Sequence, residues 1–135
     1  MSKKGKGSKA ERELIHLFWK NGLAAIRVAG SGSMKYPSPD IIVNNKGSIW
    51  AIECKSKNNG YIYLTKKEIQ ELKIFSGLFG AHGIIAVRFS RKEWSFLEID
   101  DLKETNKNFV VDLSLAKEKG LNLDSFLKHK IYKPF

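Results

Sequence analysis

The chain has 135 residues, 42% of them hydrophobic, which suits one domain with its own core. No apolar run approaches the ~20 residues of a membrane span, no apolar leader opens the chain, and a single cysteine excludes an internal disulfide or a cysteine-based zinc site, so a cytoplasmic protein with no membrane role is expected. The net charge of +10 is lopsided: residues 1–67 hold thirteen Lys or Arg against four acids, residues 68–135 eleven against ten, and a polyanion is the natural partner of the basic half.

In chain order, residues 1–9 read as a flexible basic arm whose Lys3, Lys4, Lys6 and Lys9 can lie along a phosphate backbone; residues 10–135 form the single domain. Ser8-Lys9-Ala10-Glu11 reads as a capping box that opens a helix to about Asn21, with Gly22 as terminator. Leu14, Ile15, Leu17 and Phe18 give that helix a core-facing stripe. Glu11 is then explained as the capping acid, and Arg12 as exposed or aimed at phosphate. Leu23–Ala29 reads as a strand interrupted by Arg27. The loop from Gly30 to Pro39, carrying Ser31, Ser33 and Lys35, is too flexible to pack and reads equally as a linker or as a segment that touches substrate.

Two apolar runs then flank Asn44-Asn45-Lys46-Gly47, the punctuation of a β-hairpin. Asp40 opens the first strand. Side chains alternate faces along a strand, so Glu53 and Lys55 project from one face of the second while Ile52 and Cys54 take the other. Two carboxylates and an ammonium therefore converge at one end of the hairpin. Magnesium takes oxygen ligands of this kind, and an ion so held makes a neighbouring water easier to deprotonate. Solvated surface charge is the competing explanation, but Ile49, Trp50, Ile52 and Cys54 make the second strand look buried, where an unpaired Glu is costly. Beyond it come a basic loop, Ser56–Gly60, with Lys57, and a short strand, Tyr61–Leu64. A capping box at Thr65-Lys66-Lys67-Glu68 starts a helix to Gly77 or Phe79. Gly83–Phe89 is a buried strand and Trp94–Ile99 an alternating one. Asp100–Thr105 reads as a helical turn, Phe109–Asp112 as a strand and Leu123–Lys130 as a terminal helix. The fold class is α/β, with a mixed central sheet flanked by helices.

The spacing Pro39-Asp40, twelve residues, Glu53-Cys54-Lys55 resembles the PD-(D/E)xK nucleases. Two further segments extend the likeness, Lys4 through Leu14 and Ile26-Arg27-Val28-Ala29-Gly30-Ser31-Gly32-Ser33, and with Pro39-Asp40-Ile41-Ile42 and Ile52-Glu53-Cys54-Lys55 they make four matching pieces. In this order, over most of residues 4–99, they resemble the archaeal Holliday junction resolvases of the Hjc/Hje family; residues 100–135 carry no matching motif. The resemblance implies a restriction-endonuclease-like fold and a homodimer that makes paired, Mg2+-dependent cuts in four-way DNA junctions during recombination and repair, with Mn2+ as a substitute ion. It implies Glu11, Asp40 and Glu53 as metal-site acids, joined by the Cys54 carbonyl, and Lys55 as the catalytic lysine. Ser31 corresponds to a serine implicated in activity, with Ser33 as its rival in the same loop. Arg12 and Arg27 match basic residues near the scissile phosphate, and Lys3, Lys4, Lys6, Lys9, Lys35 and Lys57 complete the expected DNA-binding set. A sliding clamp or a helicase is the expected kind of accessory partner. Two alternatives stay open: another PD-(D/E)xK endonuclease acting on duplex or branched DNA, and a non-catalytic nucleic-acid-binding protein.

Overall fold

The computed structural model describes residues 3–28 and 36–128, with side chains from Lys9 onward. Helix α1 (Lys3–Lys20) leads to β1 (Ala25–Arg27), β2 (Ile41–Asn45), β3 (Ser48–Lys57) and β4 (Ile62–Thr65). Helix α2 (Lys66–Phe79), β5 (His82–Phe89) and β6 (Ser95–Leu97) follow, then a 3-10 turn at Ile99–Asp101. The chain closes with β7 (Lys103–Glu104), β8 (Asn108–Val111), α3 (Leu113–Lys119) and α4 (Leu123–Lys128).

Five strands in the order β1-β2-β3-β5-β6 form a mixed central sheet whose one parallel pair is β3 with β5, and β4-β8-β7 form a second, antiparallel sheet. Alternation along the central strands builds two cores. Leu14 and Phe18 of α1 and Phe126 of α4 cover one face over Ile41, Val43, Trp50, Ile52 and Ile84. On the other face, Ile69 and Leu72 of α2 and the small sheet's Ile62, Leu64 and Val111 cover Ala51, Ile85 and Val87. Burial at ~25 cal/mol per Å2 of apolar surface from both sides makes β3 and β5 the rigid spine of the molecule. Whatever β3 displays at its end is therefore held on the least movable part of the fold.

Three expectations change. Where a helical turn is expected over Asp100–Thr105, the 3-10 turn ends at Asp101 and Lys103–Glu104 pairs with β8 as β7. Helix α1 begins at Lys3, so Ser8 lies inside it and does not cap it, and residues 3–9 continue the helix backbone where a flexible arm was expected. The helix backbone runs through Gly5 and Gly7 although each glycine weighs about 1 kcal/mol against a helix. Glu11 is consequently free of the capping duty. Helix α3 was not expected; Asp112 caps it, its carboxylate accepting from Leu115 N at 2.9 Å. The capping box at Thr65 and the stop at Gly80, whose φ of 75° suits glycine, delimit α2 as the sequence indicates.

Candidate active site

The hairpin turn sets the site's register. Lys46 and Gly47 both have positive φ (53° and 94°), the backbone of a tight two-residue hairpin turn, and Gly47 N donates to Asn44 Oδ1 at 2.8 Å. The β2–β3 pairing then runs from Asn45–Ser48 to Ile41–Ile52. Asp40 lies one step beyond that last pair, its N donating to Ile52 O at 2.9 Å while Val28 N donates to Asp40 O at 2.8 Å. One step farther along β3, Cys54 N donates to Asp40 Oδ2 at 2.8 Å, which fixes the carboxylate against the strand that carries Glu53. Glu11 arrives from α1 within hydrogen-bond reach of Asp40. Its Oε2 accepts from Arg27 Nε of β1 at 2.9 Å. Three acids from three elements thus meet, and with them Arg27.

Their proximity is costly. Burial lifts Asp40 from 3.8 to about 6, with Glu11 adding to the rise and the Cys54 N–H and Lys55 opposing it. Burial lifts Glu53 from 4.5 to about 9, reinforced by the charges of Asp40, Glu68 and Glu11. Burial also pushes up the Cys54 thiol, consistent with a side chain that packs against the core and is not a nucleophile. Lys55 is a different case. Burial would lower its ammonium, but a hydrogen bond with Glu68 and the surrounding carboxylates outweigh that and hold it above the ordinary lysine value. Lys55 Nζ lies 2.6 Å from Glu68 Oε2. Lys55 is therefore a donor and a positive charge here, not a base.

Among the described residues no three His, Cys, Asp or Glu side chains stand in a ready-made metal-ligand arrangement. The donor set nevertheless fits a hard divalent cation: buried carboxylate oxygens, mutually repelling, need positive charge nearby, and a cation that accepts oxygen ligands would relieve the repulsion.

The acids lie at the floor of a depression of about 1280 Å3. Lys9, Lys57, Arg88 and Arg91 line it alongside Glu11, Asp40, Glu53 and Lys55. Lys57 also donates to Tyr61 O at 2.8 Å. Arg12 is exposed on α1 and does not line the depression, while Arg27 acts at its margin through Glu11. The side chains of Lys3, Lys4 and Lys6, and all of Ser31, Ser33 and Lys35, lie outside the described residues.

Three residues escaped sequence reasoning, Glu68, Arg88 and Arg91, the last of which follows β5 in a turn and lines the depression. Glu68 was explained completely by its capping box, which hid its second oxygen's contact with Lys55. Arg88, in an apolar strand, lines the depression, pairs with Glu13 at 2.6 Å and stacks 5.0 Å from the Trp94 ring. A lone arginine in a run of buried residues was the available signal.

The family model described as archaeal Holliday junction resolvase (Hjc) matches residues 2–133. A crossover junction endodeoxyribonuclease Hjc of Archaeoglobus fulgidus is 42% identical over 112 residues, covering 83% of this chain and 82% of the relative. That of Sulfolobus acidocaldarius is 36% identical over 132 residues, covering 96% and 91%. The solved structure of Archaeoglobus fulgidus Hjc, a Holliday junction resolvase from an archaeal hyperthermophile, superposes with a TM-score of 0.83 at 37% identity, over 90% of this chain and 99% of that one.

Proposed function

Because this chain belongs to the archaeal Holliday junction resolvase family, we infer that it is an endodeoxyribonuclease that resolves four-way DNA junctions by paired hydrolysis of opposed strands. Resolvases of this family use a divalent metal; here Mg2+ is the ion, with Mn2+ able to replace it. The observation that carries the reading is the cluster of Glu11, Asp40 and Glu53 on the floor of a depression whose rim is basic. A surface built only to hold phosphate gains nothing from buried acids.

Asp40, Glu53 and the Cys54 carbonyl, with Glu11 beside them, would hold the ion, which supplies Lewis acidity toward the scissile phosphodiester. The chain's own part is positional and electrostatic. The phosphate backbone enters along Lys9, Lys57, Arg88 and Arg91, and Lys55 directs its ammonium at the attacking water or at the charge that develops on the phosphoryl oxygens. Water attacks phosphorus, one P–O ester bond breaks, and the leaving sugar oxygen takes up a proton. Arg27 keeps Glu11 oriented and Arg12 extends the basic surface on α1; Lys3, Lys4, Lys6 and Ser31 join the set through the sequence and the family's pattern alone. No helix among the described residues is long and apolar enough to cross a membrane; action on DNA junctions is what supports a cytoplasmic location.

The family acts as dimers, and a junction with two-fold symmetry needs two sites. The face for the second copy is α2 with β4, where Tyr61, Tyr63, Ile74, Leu78 and Phe79 are exposed.

Cleavage of a synthetic four-way junction and of its component duplexes, with and without Mg2+, tests the activity. Asp40→Asn and Glu53→Gln are expected to abolish cutting and to leave junction affinity within about threefold, since affinity comes from the basic surface. Equal cutting of the duplex arms would turn the assignment to a duplex endonuclease, and binding without cutting by the wild type would leave only a DNA-binding protein.

A further inference from the structure

We propose that Glu68, on the first turn of α2, is the positioning residue for Lys55, holding the catalytic ammonium over the acid cluster by one carboxylate oxygen while the other locks the helix cap. This assignment rests on the nuclease reading above. Glu68 Oε2 lies 2.6 Å from Lys55 Nζ. Its Oε1 accepts from Thr65 N at 2.9 Å, and Thr65 Oγ1 accepts from Glu68 N at 3.0 Å. The carboxylate is thus tied at both ends and cannot follow the lysine; the lysine must come to it. A lysine has four rotatable bonds and loses much rotamer freedom when held, so an ammonium without such an anchor would spend little time at one place. Lys55 belongs to β3, the spine of the central sheet, and Glu68 belongs to a helix whose Ile69 and Leu72 are buried against that sheet. Both ends of the bridge therefore sit on rigid elements, the condition under which an outer partner can set the geometry of a reacting group.

A carboxylate at this helix position already has a structural use in the cap, so the test separates the two duties. An amide has a single acceptor oxygen and cannot serve Thr65 N and Lys55 together. In the full-length protein, Glu68→Gln is expected to lower single-turnover junction cleavage about 10–100-fold, the usual range for an outer partner, with junction Kd unchanged within twofold. Thr65→Ala, which weakens the cap and leaves the Lys55 bridge, is expected to lower Tm and keep the cleavage rate within about threefold. In a Lys55→Ala background Glu68→Gln is expected to add no further loss, because the group it positions is gone. Glu68→Asp, which draws the same charge back by one methylene, serves if the Gln variant does not fold and is expected to show the same loss. A Glu68 variant that cuts at the wild-type rate, a loss fully additive with Lys55→Ala, or a Thr65→Ala variant as slow as Glu68→Gln would each overturn the assignment. Wild-type protein that binds junctions without cutting them would instead remove the nuclease reading beneath it.

Discussion

Asp40 and Glu53 hold protons in the folded protein that the unfolded chain gives up near pH 4. For Asp40 the interval runs from 3.8 to about 6, and for Glu53 from 4.5 to about 9. Within those intervals the folded state binds more protons than the unfolded one, so its stability falls as pH rises. Metal-free protein should accordingly melt at a lower temperature at pH 8.5 than at pH 5. Glu53→Gln should flatten that slope and stabilise the metal-free protein at pH 8 by on the order of 1–3 kcal/mol, while abolishing cleavage. A divalent ion should restore stability to the wild type but not to the variant, by about 2.7 kcal/mol at a hundredfold excess over Kd. Differential scanning calorimetry across pH, with chelator and with Mg2+, reads all three. A wild-type curve that rises between pH 5 and pH 8.5 without metal would contradict this account of the acids.

At the scale of elements, the site depends on how closely α2 lies on the central sheet. Gly83, the second residue of β5, lies beneath that helix; a Cβ built there would meet Ser76 Oγ at 2.8 Å and Leu72 Cγ at 3.2 Å. Unless Ser76 rotates away, Gly83→Ala pushes α2 outward or twists Leu72, at about 1–3 kcal/mol of stability. Because Glu68 rides on the same helix, cleavage should slow along with unfolding becoming easier, measurable by urea denaturation and single-turnover kinetics on one preparation. An Ala variant as stable as the wild type would show that Ser76 absorbs the methyl by rotating. At the opposite end of the sheet, Asn45 Nδ2 donates at 3.2 Å to Phe126 O and to Leu127 O, tying the hairpin to the last carbonyls of α4. The hairpin that carries the acids is thus held from two sides.

For the whole molecule the open question of assembly has a surface to match. Leu78 is 86% exposed, and Phe79, beside it, stacks on Phe75 at 4.8 Å between ring centroids. Tyr61, which precedes β4, and Tyr63 within it are exposed with their rings 6.4 Å apart and add two further aromatic side chains to the proposed face. A charge in its middle should separate the copies: Leu78→Glu is expected to sediment as a monomer at micromolar concentration and to release uncoupled nicks in place of paired cuts. A variant that remains dimeric would move the interface elsewhere. The net charge of +10 on so small a chain makes all junction binding salt-dependent, so these comparisons belong at one ionic strength.

Much of this was fixed by local pattern. Alternation placed Glu53 and Lys55 on one face of β3, the Asn-Gly-type turn set the hairpin's register, and Thr65 with Glu68 announced the start of α2, because each of these depends on residues a few positions apart. The beginning of α1 escapes local pattern for the same reason: a capping box is a local signature, and it says nothing of whether the preceding turns also coil. Only the tertiary structure decided which partners lie far apart in sequence. Glu11 faces Asp40 and Arg27, Lys55 is held by Glu68, and Arg88 enters the depression because sheet pairing and helix packing bring separate segments within a hydrogen bond of one another. No periodicity along the chain encodes that distance.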